Sequence, residues 1–326
     1  MTLLPLITVM IPTYNQLAFL PVAIESALHQ DYQNLEVLVA DDLSSDETNS
    51  ILNNYSGDKR FRYIKNERNL GRVGNYKSTL ENHARGDWVV NLDADDYFTD
   101  NTFLSKSMNL IMETRDPEIV FLQAGHTVKN KHGQVLRVDL PTIDQDVKVI
   151  SGIEYFLEFN HFSHLASLYN RSKALSIDFY RYDILSADME SFLRLALHGK
   201  VILLRQSIGV WLHHGDNDSQ KLNIRTVETN LLRLKGPYLY ARALNIITPK
   251  KLAGWYKKRV NEYLLNYLII SMTSGDSRLR GFLKHIITNH PKAVFSSVIP
   301  KAMLLSTIVS VKKILAFGKG SKNVDN

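Results

Sequence analysis

Cysteine is absent from all 326 residues, which removes disulfides and thiolate-held metals from consideration and is compatible with a reducing compartment. No run reaches the roughly 18 uncharged apolar residues that a membrane-spanning helix requires. Residues 302–311 come closest, and Lys301 and Lys312 bracket them. The opening MTLLPLITVMIPTYN has neither a basic segment nor a small-residue cleavage site, so its apolar stretch reads as a first strand and not as a leader. Three glycine signatures are also missing. No G-x-G-x-x-G follows the first strand, and neither G-x-x-x-x-G-K-[ST] nor G-x-S-x-G occurs. A Rossmann dinucleotide site, a phosphate loop and a nucleophile elbow are thereby excluded.

What remains is a chain of globular composition, 44% apolar and 22% charged, long enough for one large domain or two smaller ones. Its charge is divided unevenly. Residues 1–224 carry 21 Lys and Arg against 29 Asp and Glu, a balance of −8, whereas residues 225–326 carry 18 against 4, a balance of +14. The shift places a domain boundary near residue 224.

The acidic part alternates strand and helix signals. LITVMIP, LEVLVA, FRYI and DWVVNL are short, β-branched apolar runs, separated by a stretch with helical spacing at 17–29, a helix after DDLSSDET to about 55 and a helix after the turn NERNLGRVGN to about 83. That alternation predicts an α/β fold with a largely parallel sheet, whose ligands bind beyond the carboxyl ends of the strands. Further on, a helix is expected over 103–114, strands at 118–128 and 134–140 around a Lys131-His132-Gly133 turn, helices over 151–159 and 188–198, and two late strands, KVILL and IGVWLHH. Beyond 225 the pattern is helical, with spans at 226–245, 249–273, 278–288 and 302–316, and a disordered tail over 317–326.

WVVNLDADDYF delivers Asp93, Asp95 and Asp96 straight after an apolar strand. Three adjacent carboxylates repel one another unless a positive group lies among them. On an extended segment Asp93 and Asp95 would face one side, and hard oxygen ligands at that spacing suit Mg²⁺ or Mn²⁺ shared with substrate phosphates. The bland alternative is a solvated loop or a cap for the helix that follows. Asp42, at the end of the second strand, can accept an N–H from uracil or thymine or hydroxyls of a ribose; simple turn chemistry is its alternative. Arg72 lies between Gly71 and Gly74 in NLGRVGN, where backbone can approach a ligand and a guanidinium can pair a diphosphate.

ITVMIPTYNQ, LEVLVADDLSSDET, NLGRVGN, GDWVVNLDADD and ADMESFLRLALHGK, in that order over residues 5–220, resemble the family 2 glycosyltransferases of the GT-A fold. The resemblance implies a Rossmann-like, mainly parallel α/β domain that binds a nucleotide sugar over residues 1–224, followed by a basic helical region over 225–326. It implies transfer of a hexosyl or N-acetylhexosaminyl group, with inversion, from a nucleotide diphosphate sugar (UDP favoured) to an acceptor hydroxyl. Pro12, Thr13, Tyr14, Asp42, Arg72 and Asp93 then correspond to the donor site. Asp93 and Asp95 correspond to the ligands of Mn²⁺ or Mg²⁺, with Asp96 as an alternative and His214 favoured over His213 as a late ligand. Asp188 corresponds to the catalytic base, although Ala187 stands where the family writes Glu, which raises the question of whether Glu190 shares that role. The contrasting expectation is a non-catalytic GT-A-like scaffold or glycan-binding protein, disfavoured by the joint presence of Asp42, Asp93, Asp95 and Asp188.

In the basic region Leu304, Ile308, Val311 and Leu315 share a helical face flanked by Lys301, Lys312 and Lys313. Such lysine-rich amphipathic helices bind anionic membrane surfaces, and the aromatics are not interleaved as nucleic-acid stacking prefers. The expectation is therefore a cytoplasmic enzyme held peripherally on the inner face of the cell membrane, near a lipid-linked glycan acceptor, with no nucleic-acid partner. A plain solvated helical cap is the alternative.

Overall fold

The computed structural model describes residues 4–45, 47–158, 163–214, 224–273 and 288. The expected helix over 302–316, the tail, and all of 278–288 except Thr288 lie outside them. The chain divides into two compact units, residues 1–222 and 223–326.

In the first unit β1 (Ile7–Thr13), β2 (Leu35–Asp41), β3 (Phe61–Lys65) and β4 (Trp88–Asn91) form a wholly parallel half-sheet in the order β3-β2-β1-β4. Every residue of β1 and β2 is buried, which is why apolar residues fill both faces instead of alternating, apart from Thr8 and Glu36, which bond each other, and the closing Thr13 and Asp41. Each such Ile, Val or Leu contributes about 1.5–3 kcal/mol relative to exposure. Past β4 the sheet is mixed. A short antiparallel strand, β9 (Ser167–Asn170), lies between β4 and β6 (Ile119–Asn130), and β6 pairs in parallel with β10 (Lys200–His213). β10 also takes β5 (Tyr97–Phe98) and β8 (Val147–Ser151) antiparallel, and β7 (Val135–Asp139) forms a hairpin with β6.

Helices cover this sheet. α1 (Leu20–Leu28) buries Leu20, Ala23, Ile24 and Ala27, an i, i+3, i+4, i+7 stripe, with proline in its first turn. α2 (Thr48–Leu52) follows β2. α3 (Arg72–Ser78) continues into a π turn, Thr79–His83, before β4. α4 (Phe103–Thr114) ends at Arg115 in the left-handed conformation. α5 (Gly152–Glu158), α6 (Arg171–Ser176) and α7 (Ala187–Ala196) complete the unit among the described residues.

Chain order reverses at β1, which has β2 on one side and β4 on the other. Loops leaving these strands diverge and open a crevice at their carboxyl edge. Thr13 ends β1, Asp42 follows β2 and the three aspartates follow β4, so all five lie at that edge.

Three expectations change. KVILL and IGVWLHH belong to one 14-residue strand, because register shifts around Leu203, Ser207 and Val210 absorb the polar Arg205-Gln206-Ser207 stretch without ending it. The aspartates occupy a turn closed by Asp96 N–H donating to Asp93 O at 2.9 Å, so the alternation of an extended strand stops at Asn91. In the second unit the helix expected over 226–245 divides into α8 (Ile224–Thr229) and α9 (Leu232–Leu244), followed by α10 (Pro249–Thr273). Tyr263 ties α10 to α8 by donating its hydroxyl to Val227 O at 3.0 Å, and Arg233 lies over its ring. No helix of the described residues is long and apolar enough to cross a membrane.

Candidate active site

The sequence ends β1 with Pro12 and Thr13 opposite the end of β2, and Asp42 N–H donates to Thr13 O at 2.9 Å. Asp41 is consumed structurally. It accepts from Ser44 N–H, Ser44 Oγ and Tyr63 Oη, and so folds the loop after β2. Asp42 is also buried, and its Oδ1 accepts from Asn66 Nδ2 and from Leu70 N–H, both at 2.8 Å. Gly71, at φ +76°, then allows the chain to turn into α3. Thr13 Oγ1 is buried with no hydrogen-bond partner among the described residues, while Tyr14 is exposed. An orphaned hydroxyl beside a carboxylate at a switch point fits a polar ligand such as a nucleoside.

Across the crevice the aspartates point in different directions. Asp93 Oδ1 accepts from Tyr76 Oη at 2.8 Å and from Asn91 Nδ2 at 3.0 Å. Asp95 Oδ2 lies 2.9 Å from His214 Nε2. Asp96 turns inward, where its Oδ1 accepts from Leu212 N–H at 3.0 Å. Burial, with Asp93 adding repulsion, raises the Asp95 pKa above the ordinary carboxylate range. Asp96 is raised further by burial and by both neighbours. Asp93, Asp95 and His214 carry the oxygen and nitrogen atoms that a hard divalent cation takes. Among the described residues no three such side chains are already gathered around one point.

The start of α7 carries Asp188. Asp188 Oδ1 accepts from Met189 N–H at 2.8 Å, and Oδ2 lies 4.0 Å from His164 Nδ1. Glu190 faces the interior. It is paired at 2.8 Å with Arg194, itself buried, whose guanidinium also donates to the carbonyls of Ile177, Asp178 and Phe179. Burial raises the Glu190 pKa despite that partner. Arg72 donates to Ile184 O at 3.0 Å and Leu185 O at 2.9 Å, which staples α3 to the loop before α7. Burial works against the Arg72 charge, but Tyr76, Asp188 and Asp93 outweigh it and keep the group above its ordinary pKa.

Sequence reasoning missed Phe19, Tyr76, Asn91, His164 and Tyr180. Phe19 stacks on His214 with ring centroids 5.0 Å apart. Asn91 had a readable signal, as the one polar residue closing an otherwise apolar run. The others carry no local pattern.

Residues 8–151 match the model of Glycosyl transferase family 2. They form a family 2 glycosyltransferase domain. A β-1,3-glucosyltransferase of Campylobacter jejuni, named for GalNAc(5)-diNAcBac-PP-undecaprenol, is 36% identical over 112 residues, 34% of each chain. WfaP of Escherichia coli, a UDP-Glc:α-D-GlcNAc-diphosphoundecaprenol β-1,3-glucosyltransferase, is 27% identical over 238 residues, 64% of this chain and 89% of that one. Matches to the first curated relatives thus span less than half of those proteins, 44% and 34%. Among solved structures, S. aureus TarS residues 1–349 in complex with UDP-GlcNAc aligns with a TM-score of 0.62 at 18% identity, over 85% of this chain and 75% of that one. The likeness extends to the fold, which is GT-A: a mixed Rossmann-like sheet followed by helices.

Proposed function

We propose that this glycosyltransferase moves a hexosyl or N-acetylhexosaminyl group, with inversion, from a nucleoside diphosphate sugar to a hydroxyl of a lipid-linked glycan, and that UDP is the preferred carrier. The observation that supports the reading is that Arg72 lies within electrostatic reach of both Asp93 and Asp188, distant in sequence, while Asp42 follows β2 at the carboxyl edge of the same parallel half-sheet. In this reading Pro12, Thr13 and Tyr14 line the nucleoside, Asp42 accepts from the base or ribose, and Arg72 and Asp93 border the donor. Asp188 removes the proton of the acceptor hydroxyl as its oxygen bonds to the anomeric carbon and the bond to the diphosphate oxygen breaks. Asp95, His214 and Asp93 would hold a divalent cation, Mn²⁺ or Mg²⁺, which when bound offsets charge on the leaving diphosphate. Asp96 supports the turn through Leu212.

The relatives named for undecaprenol-linked substrates support a lipid-linked acceptor. A net +14 over 225–326 supports attachment to an anionic membrane surface on the cytoplasmic side. The test is a thermal-shift panel of UDP, dTDP, GDP and CDP with and without Mn²⁺, followed by transfer assays with the matching sugar nucleotides. A metal-dependent shift with UDP, and transfer that Asp188→Asn lowers by about 10²–10⁴-fold without weakening nucleotide binding, is the expected result. Absence of any shift and any transfer would defeat it. Liposome sedimentation checks the membrane element, since binding undiminished by removal of 276–326 would exclude it.

A further inference from the structure

The hairpin of β6 and β7 leaves the sheet at its carboxyl edge. There Asn130 is the register partner of His213, and the next residue, His214, reaches Asp95. The hairpin tip is tied by its own bonds. Asn130 N–H donates to Gln134 O at 3.0 Å, Asn130 Oδ1 accepts from His132 N–H and Gln134 N–H at 3.0 Å each, and Gly133 supplies φ +78°. Nearer the base, Arg137 lies over the Trp211 ring and donates to Asp139 at 2.7 Å. On this support β7 turns its apolar residues outward: Val135 is 57%, Leu136 51% and Val138 52% exposed. The register explains how three can be exposed together. Val138 lies opposite Thr127 and Val135 opposite Lys129, so the two valines share a face, and Leu136 is the extra residue of the bulge between them.

We propose that this hairpin docks on a bilayer surface containing anionic lipid, with Val135, Leu136 and Val138 entering the interface and Lys129 and Lys131 meeting headgroups. Charge supports this as much as apolarity does. From residue 119 to residue 138 the chain has no carboxylate, while Lys129, Lys131 and Arg137 are cationic. Exposed apolar side chains rimmed by lysine match a surface that is negative outside and apolar beneath. A second copy of the chain matches less well. A two-fold contact through this face would bring Lys129 and Lys131 of both copies together, and the bulge at Leu136 interrupts the edge to which a strand would add. A hairpin rooted beside His213 and His214 would hold that edge of the sheet near the lipid plane. The inference rests on the lipid-linked acceptor of the proposed function for its purpose, but the contact itself needs neither donor nor acceptor.

The chain has no cysteine, so Leu136→Cys can carry a single environment-sensitive label on the full-length protein. With vesicles of phosphatidylcholine and phosphatidylglycerol, that label should brighten and be quenched by nitroxide-bearing lipid. The same label at Asn54→Cys, between α2 and β3, should do neither. In vesicle sedimentation, Val135→Ser, Leu136→Ser and Val138→Ser combined should lower the partition coefficient by about 10-fold or more. Lys129→Glu with Lys131→Glu should lower it by about 10-fold or more on these vesicles and little on phosphatidylcholine alone, since each lysine near an anionic surface is worth roughly five-fold. Both variants should keep the wild-type melting temperature, because the replaced apolar side chains and Lys131 are exposed and Lys129 is half-buried at the strand end. A label at 136 that stays silent toward vesicles, or a serine variant that partitions like the wild type, overturns the proposal. So does a concentration-dependent dimer in sedimentation velocity that the serine variant abolishes. Insertion of the label by a protein that transfers no sugar would support the docking and defeat the assigned reaction.

Discussion

His214 Nε2 lies 2.9 Å from Asp95 Oδ2, and Phe19 lies nearly parallel to the imidazole at an interplanar angle of 20°. The end of β10, the turn after β4 and the loop before α1 thus meet at one carboxylate. Ring orientation set by an outer neighbour commonly governs metal affinity by 10- to 100-fold. Asp95→Ala is therefore expected to abolish the Mn²⁺-dependent part of the nucleotide thermal shift, and Phe19→Leu to raise the Mn²⁺ concentration for half-effect about 10-fold. A saturated site at 100 times its Kd would add about 2.7 kcal/mol, well within detection. Identical Mn²⁺ titrations for wild type and both variants would remove the cation from this corner.

Thr13 offers a test with opposite signs. Its buried hydroxyl has no hydrogen-bond partner among the described residues, and an unpaired buried polar atom costs about 1–3 kcal/mol. Thr13→Val replaces it with a methyl group of nearly the same shape. The free protein should gain about 1 kcal/mol, or roughly 2–4 °C in Tm, while its affinity for UDP declines. A variant that is both more stable and equally tight toward nucleotide would show that the hydroxyl meets no ligand.

β1, β2 and β4 were legible because they are buried on both faces and so appear as runs dominated by apolar residues. Thr13 and the Asp41–Asp42 pair stand out as polar residues at the ends of two such runs, and Asp93 as the first carboxylate after Asn91 closes another. β5, β8 and β9 were not legible. Strands of two to five residues need no periodic pattern, and their pairing is decided by β10 for β5 and β8 and by β4 and β6 for β9. Asp95 was legible as a carboxylate but not in its direction, because a turn ends the strand periodicity two residues earlier. His164 and Tyr180 owe their place to the approach of β9 and the segment before α7, a tertiary fact with no trace in local spacing. Glu190 was open to two readings from its proximity to Asp188. Helical geometry decides between them, since i and i+4 place it against Arg194 and two positions from Asp188 turn it away from the crevice.

The Glu190–Arg194 pair supports the base indirectly, and its removal should be costly. Arg194 satisfies three backbone carbonyls besides Glu190, all within the fold that carries α7. Arg194→Met leaves a buried carboxylate unpaired, and breaking such a pair costs about 3–5 kcal/mol. Glu190→Leu combined with Arg194→Met should be less destabilised than Arg194→Met alone, since no lone charge remains. Urea unfolding of the two singles and the double measures the coupling. Strict additivity would mean that the pair exchanges no energy.

Acid sensitivity should trace to His198 and His83. Burial, then Lys173 and Arg194, holds the His198 pKa below the ordinary 6.5, and burial, then Arg62, does the same for His83. In the unfolded chain each ring takes a proton near 6.5, but in the folded chain only at lower pH. Between those two values the unfolded state binds more protons, so stability is full above the unfolded value and is lost as pH falls through the folded one. One such site changes stability by at most about 1.4 kcal/mol per pH unit. His198→Gln removes its share of that slope. The fall in urea midpoint from pH 7.5 to about 5.5 should be smaller in the variant than in the wild type. An unchanged fall would mean that His198 takes its proton equally well in both states, and the acid lability would then have to be sought at His83.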